Sequence, residues 1–276
     1  MKSSDQITFV IFTFNEEARI QRAVRNFVGA GRVLVVDNHS VDRTREIAEL
    51  HGATVLTHRN PGWVEDERTV SVVKAAVQTP WIYWGFADEM LDQVTLDAIA
   101  ESVDSGSCDI VSIVRKNYYY GAFCHDAASG PTNRAFRKEA IDFTANQIHH
   151  FGKLTVPESR VRQLDDKEHF VHHFISNTAK TYLRSMDSYT DIESKQDQSL
   201  PSVNQMLIRM LKTFVNNYIL RKGYRAGLPG FYMVIQSVYY EVLVNMKRYE
   251  IVHELSFDTI EISNNTARDR ILAQLR

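Results

Sequence analysis

Hydrophobic and polar positions follow two periods along the first ninety residues, and the switches between them predict the elements. Residues 7–13 form a β-branched and aromatic run that predicts a strand. Polar Asn15, Glu16 and Glu17 follow, and residues 18–28 then turn apolar at helical spacing. A second strand at 32–36 stops at Asp37-Asn38-His39-Ser40, and Asp42-Arg43-Thr44 opens a helix through about His51. Residues 55–57 predict a third strand and 65–77 a third helix, after which Pro80 breaks the chain before a strand at 81–86 that ends at Ala87-Asp88-Glu89. Strands alternating with helices in this way predict a largely parallel sheet covered on both faces. Ligands in such sheets bind beyond the carboxyl ends of the strands. Asn15, Asp37 and Asp88 all fall at such ends.

From Thr95 the pattern loosens into a helix to about Val103, a strand near 109–115, a tyrosine-rich stretch at 117–120 and a glycine-bearing loop to Pro131. Beyond Arg134 short strands mix with polar loops. Two long helices are predicted at 203–220 and 230–246, hinged at 223–230, where Gly227-Leu228-Pro229-Gly230 reads as a breaker. There is no internal repeat.

Composition narrows the class. Of the 276 residues, 44% are hydrophobic and 24% charged, with a net charge of −2, which predicts a folded protein and argues against nucleic-acid binding. One local departure stands out: Arg209, Lys212, Arg221, Lys222 and Arg225 occur with no acid among them. Met206, Leu207, Met210, Leu211, Phe214 and Leu220 interleave with them. That pattern suits either a solvated helix face or a helix in a membrane interface near anionic lipid. Cys108 and Cys124 match neither a Cys-x-x-Cys nor a zinc-ribbon spacing, so free thiols in a reducing compartment are expected. The polar start and the lack of a long apolar stretch lead to the expectation of a cytoplasmic protein.

The strand ends supply what a nucleotide-diphosphate donor requires. Asp37 can accept a hydrogen bond from a base N–H, or cap the helix that follows, as Asp42 can. Glu16 or Glu17 can hold ribose, or simply favour a helix start. Asp88 offers Mg²⁺ or Mn²⁺ a hard oxygen ligand, with Glu89 as a helper. Arg68 adds a guanidinium for phosphates, or is a solvated charge. His149-His150, His169, His172 and His173 invite a zinc reading, but no nearby cysteine completes a tetrahedral set. Tyr118, Tyr119 and Tyr120 pack a sheet face or offer a sugar-stacking platform.

A family resemblance runs through these segments. Phe12-Thr13-Phe14-Asn15-Glu16-Glu17 resembles the Thr-Tyr-Asn-Glu-Glu opening of family 2 glycosyltransferases. Residues 35–44 are similar to their Val-Val-Asp-x-x-Ser-x-Asp-x-Thr segment, Glu67-Arg68-Thr69 to Gln-Arg-Asn, and Phe86-Ala87-Asp88-Glu89 to Asp-Ala-Asp-Glu. The closest likeness is to the lipopolysaccharide-core β-glucosyltransferase-like subgroup. Arg134-Ala135-Phe136-Arg137 resembles its Arg-Leu-Phe-Arg strand, Ile148-His149-His150 its Val-His-Glu turn, and residues 218–223 with 227–231 its Tyr-Ile-Leu-Lys-Arg-Gly…Gly-Trp-Pro-Gly block.

The resemblance implies an α/β GT-A fold, a Rossmann-like mixed sheet with a helical C-terminal extension. The transferase domain is expected at 1–200, with a donor half at about 1–94 and an acceptor half at about 95–200, and the extension at 201–276. It implies an inverting enzyme that moves a sugar from a nucleotide-sugar, a UDP-sugar above all, to a hydroxyl of a polysaccharide or lipid-linked saccharide of the cell envelope. The donor would be held by Thr13, Phe14, Asn15, Glu16, Asp37, Asn38, Arg68, Ala87 and Asp88, with Mg²⁺ or Mn²⁺ on Asp88 and His150 as general base. Peripheral contact with the inner face of the plasma membrane is part of the same expectation. Phe86 stands where the family has its first metal-motif aspartate, and His150 where the subgroup has a glutamate. These departures motivate a second reading, a nucleotide-binding scaffold of envelope assembly without transfer activity. A third is a membrane adaptor working through the C-terminal helices.

Overall fold

The computed structural model describes residues 3–60, 66–123, 130–144, 152–175 and 178–274. It divides into two compact units, Met1–Ser176 and Asn177–Arg276. In the first, β1 (Ile7–Thr13), β2 (Arg32–Asp37), β3 (Thr54–Thr57) and β4 (Trp81–Phe86) appear where the apolar runs predict them. Helices α1 (Ile20–Phe27), α2 (Thr44–Leu50) and α3 (Glu67–Ala76) connect them. A short strand β5 (Glu89–Leu91) and helix α4 (Gln93–Ser105) follow, then β6 (Ile110–Tyr119), β7 (Thr132–Arg137), β8 (Val161–Gln163) and β9 (Phe170–Ile175).

The sheet order is β3-β2-β1-β4-β7-β6-β9-β5, with β8 beside β6. Strands β3, β2, β1 and β4 are mutually parallel, whereas β7 runs antiparallel to both neighbours and β5 antiparallel to β9. Successive side chains of β1 enter opposite layers. Phe9 and Ile11 pack with Phe27 of α1 and Ile99 of α4, while Val10 packs with Val70 and Val73 of α3. Phe9 stacks on Phe27 with centroids 4.7 Å apart. Each such buried side chain contributes roughly 1.5–3 kcal/mol, so burial on both faces of β1 and β4 holds their carboxyl ends at fixed heights. Helices α3 and α4 start at aspartate caps, Asp66 accepting from the Thr69 amide and Asp92 from the Thr95 amide.

The second unit is helical: α5 (Ala179–Ser194), α6 (Val203–Phe214), α7 (Gly227–Val252) and α8 (Phe257–Leu272). Two helices differ from expectation, the first for a physical reason. Gly227-Leu228-Pro229-Gly230 does not end a helix but forms the first turn of α7, where a proline needs no amide partner. The predicted helix at 203–220 gives way to a π-helical turn at Val215–Leu220. Helix α5 packs on α7 within this unit: Lys247 reaches Asp187 and Asp191, and the Tyr240 hydroxyl donates to Glu193.

Candidate functional site

The loops after β1 and β2 are clasped together by their motif side chains. Ser40 Oγ accepts the Asn15 amide at 2.8 Å, Thr44 Oγ1 accepts the Glu16 amide at 2.7 Å, and Asp42 Oδ2 accepts the Glu17 amide at 3.1 Å. In return Asn15 Oδ1 accepts the Val41 amide and Glu17 the Arg43 amide. Asn15 and His39, each two residues beyond its strand, adopt positive φ of 56° and 59°, a conformation that asparagine and histidine tolerate better than most residues. Asp42 also receives the Thr44 amide and hydroxyl, so it secures the start of α2. Burial raises its carboxyl, but these hydrogen bonds outweigh it and hold the group below its ordinary value.

Asp37 lies under this clasp with 0% of its surface exposed. Its Oδ2 accepts the Ser40 amide at 2.9 Å, its Oδ1 accepts the Thr13 hydroxyl at 3.3 Å, and Arg45 Nε stands 3.7 Å away. Both oxygens are therefore engaged by the loop. Asn38 exchanges hydrogen bonds with the backbone of Asn60, which ties the β2 loop to the loop after β3. Phe14 stays exposed, and Ala87 is buried.

Asp88 occupies the turn after β4 and is half-buried. Its Oδ2 is 3.2 Å from His173 Nε2, and His173 Nδ1 is 2.7 Å from Asn117 Oδ1. The Phe174 amide donates to the Asp88 carbonyl. Burial pushes the Asp88 carboxyl up, yet the His173 hydrogen bond and the charges of His173 and Arg19 hold it below the usual carboxylate value. Glu16 behaves oppositely. Burial, joined by the charges of Asp88 and Asp42, raises its carboxyl despite a two-pronged ion pair with Arg19. The side chains of Glu16, Arg19, Asp88 and His173 thus gather where β1 and β4 end.

Glu89 is turned to a different task. It is 1% exposed, and Arg134 holds both its oxygens, with Nη2 at 2.7 Å from Oε1 and Nη1 at 3.1 Å from Oε2. It is the buried half of an ion pair between β5 and β7, not a helper at the mouth of the site. Phe86 packs its ring on Phe12 and lies beneath the Arg134 guanidinium. Arg68 is exposed near the start of α3, and His150 lies outside the described residues.

His149 lies outside the described residues with His150, and the described histidines form no zinc site. His172 and His173 sit on a strand, so they point to opposite faces. His172 meets Tyr118 and Asp92, while His173 meets Asp88 and Asn117. Among the described residues no group of three or more His, Cys, Asp or Glu gathers to hold a metal. The carboxylate of Asp88 remains a hard donor beside an imidazole, a set that suits an ion taking most of its ligands from phosphates and water. Tyr118 stacks on Phe174 at 4.6 Å, as a packing residue would.

Residues 8–187 match the family described as "Glycosyl transferase family 2". An uncharacterized glycosyltransferase of Rickettsia bellii is 37% identical over 241 residues, covering 82% of this chain and 80% of that one. An uncharacterized glycosyltransferase of Mycobacterium tuberculosis is 31% identical over 110 residues, 40% of this chain, and the match spans about half (49%) of that protein. Among solved structures, S. aureus TarS 1–349 in complex with UDP-GlcNAc aligns with a TM-score of 0.47 and 15% identity, covering 90% of each chain.

Proposed function

The chain belongs to glycosyl transferase family 2, its mixed α/β sheet with a helical C-terminal region is the GT-A-type fold expected of that family, and from that premise we propose that it is an inverting hexosyltransferase. It takes a nucleotide-sugar, a UDP-sugar on this reading, and delivers the sugar by direct displacement to a hydroxyl of a polysaccharide or lipid-linked saccharide of the cell envelope. The finer kinship is with the lipopolysaccharide-core β-glucosyltransferase-like subgroup. The observation that carries the reading is the polar cluster of Glu16, Arg19, Asp88 and His173 at the carboxyl ends of β1 and β4, beside the clasped loops of Asn15 and Asp37. Asp88 would hold Mg²⁺ or Mn²⁺, which supplies positive charge to the departing diphosphate. Thr13, Phe14, Asn15, Glu16, Asn38 and Ala87 border the donor, Arg68 meets phosphate, and His150 takes the acceptor proton.

No helix among the described residues is long and apolar enough to cross a membrane. Contact with the inner face of the plasma membrane is assigned instead to α6. It buries no side chain and exposes Val203, Leu207, Ile208 and Leu211 beside Arg209 and Lys212.

Titrating UDP with and without Mn²⁺, for the protein and for Asp88→Ala, tests the enzyme reading. Metal-dependent binding that Asp88→Ala abolishes, together with donor hydrolysis, supports it. Binding indifferent to metal and no turnover with any donor sinks it. Those results would favour a nucleotide-binding scaffold, the reading that the apolar Phe86 beside Asp88 supports.

A further inference from the structure

Helix α7 carries two apolar faces, and among the described residues one of them is buried. Gly230, Met233, Val234, Val244 and Arg248 are buried on one side. On the opposite side Leu228, Tyr232, Ile235, Tyr239, Met246 and Tyr249 are between 43% and 65% exposed. Half-buried Val242 fills the one gap in the row. The spacing from 228 to 249 alternates four and three residues without a break, the seven-residue repeat that lays a seam along a helix for a partner helix. At 1.5 Å per residue the seam runs about 32 Å.

We infer that a second copy of this chain covers this seam, pairing α7 with α7 in a symmetric dimer. The charge pattern favours protein over lipid. The basic residues of α7 are Lys247 and Arg248. Lys247 is bound to Asp187 and Asp191, and Arg248 stands by Asp197. Along α7 itself the seam therefore lacks the basic border that anionic lipid attracts. Its tyrosines and methionine are residue types enriched at protein interfaces. Six side chains, each roughly half exposed, offer about 600 Å² at about 200 Å² for a whole large side chain. A standard interface uses ~800 Å² per partner, and the lower end of that class about 600 Å², so the row alone approaches what a stable dimer needs. The adjoining α8 adds to this: none of its 16 residues is buried, and an isolated helix of that length is marginal in water. By helical spacing its exposed Phe257, Ile260 and Ile271 share one face.

The test is the mass of the full chain in solution, by light scattering and sedimentation across a concentration series. The pair Ile235→Glu and Tyr239→Glu puts two charges in the middle of the seam at exposed positions. The protein should be a dimer, and the double variant should weaken association about a hundredfold or more while keeping a folded circular dichroism spectrum. Leu207→Glu on α6 should leave the dimer intact. A monomer at all concentrations overturns the inference, as does a dimer that survives the double substitution or is lost equally with Leu207→Glu. A seam whose charged variant loses binding to anionic vesicles while the protein stays monomeric also overturns it. None of these outcomes depends on nucleotide binding, so the dimer and the transferase reading fail separately.

Discussion

Replacing Glu89 with glutamine separates a structural acid from a metal-binding one. Glu89 and Arg134 are both nearly dry, their side chains 1% and 7% exposed, and Arg134 Nη1 also donates to the Trp84 carbonyl. Arg115 adds a second cation 3.7 Å from Glu89. Glu89→Gln keeps the shape but leaves the Arg134 guanidinium buried against a neutral amide. Breaking one half of a buried pair costs about 3–5 kcal/mol; the retained amide oxygen still accepts one hydrogen bond, which places the expected loss near the lower value. For a unit of this size about 3 kcal/mol corresponds to a melting temperature lower by roughly 6–12 °C. Urea unfolding followed by tryptophan fluorescence, together with a melting curve, measures it. Converting both partners, Glu89→Gln with Arg134→Met, should recover much of the loss, because no charge is then stranded. UDP and Mn²⁺ affinity, measured well below the new melting point, should change little. A Glu89→Gln protein within about 0.5 kcal/mol of the parent, but with weakened metal binding, would refute the structural assignment.

Three further outcomes follow from the same geometry. Asp37→Asn keeps one acceptor and should destabilise by roughly 1–2 kcal/mol through the engaged loop amide, with UDP affinity falling in parallel; an affinity loss at unchanged stability would show instead that Asp37 meets the base itself. The Asp109 carboxyl is held below its ordinary value chiefly by the hydrogen bonds of Arg160, with burial opposing and the charges of Arg160 and Arg137 assisting. Its ionised form therefore adds stability above the unfolded value of about 3.9, and the gain vanishes as pH falls through the lower folded value. Unfolding free energies of the protein and Asp109→Asn should differ near pH 6 and converge toward pH 2, and a gap constant across that range contradicts the assignment. Removing the α3 cap with Asp66→Ala should cost about 1 kcal/mol, read as a lower urea midpoint at unchanged slope.

What the sequence revealed depended on how each residue is buried. Strands β1, β2 and β4 were legible because both their faces are covered, which leaves unbroken apolar runs. Helix α5 was not, because its buried positions are Met186, Thr190 and Ser194, and two small polar residues erase the apolar period. The start of α7 was misread because Gly and Pro punctuate chains in general, while the first helical turn is the one place that tolerates Pro229. The loop motifs were legible as motifs, yet their pairing was not: Ser40 and Thr44 act on amides 25 and 28 residues away. His173 was visible only as one of a histidine cluster. Its partners Asn117 and Asp88 are 56 and 85 residues distant, and only the adjacency of β6, β9 and β5 brings them together.

The two aspartates at the ends of β2 and β4 look alike in sequence and differ in what surrounds them. Asp37 is entirely covered, and its oxygens are consumed by Thr13 and by the amide of Ser40 three residues on. Its charge therefore shapes the loop that carries His39 and Ser40, and through Ser40 it fixes the amide of Asn15. Asp88 is partly open, and its partner is a titratable ring rather than a backbone amide. A partly open carboxylate with one oxygen beside an imidazole keeps capacity for another ligand, whereas one wholly covered by its own loop offers none. On the proposed function the two acids then divide the work: Asp37 builds the surface on which the nucleotide lies, and Asp88 meets the cation and diphosphate. Substitution at Asp37 should accordingly disturb fold and binding together, and substitution at Asp88 should disturb binding of metal and nucleotide with the fold left standing.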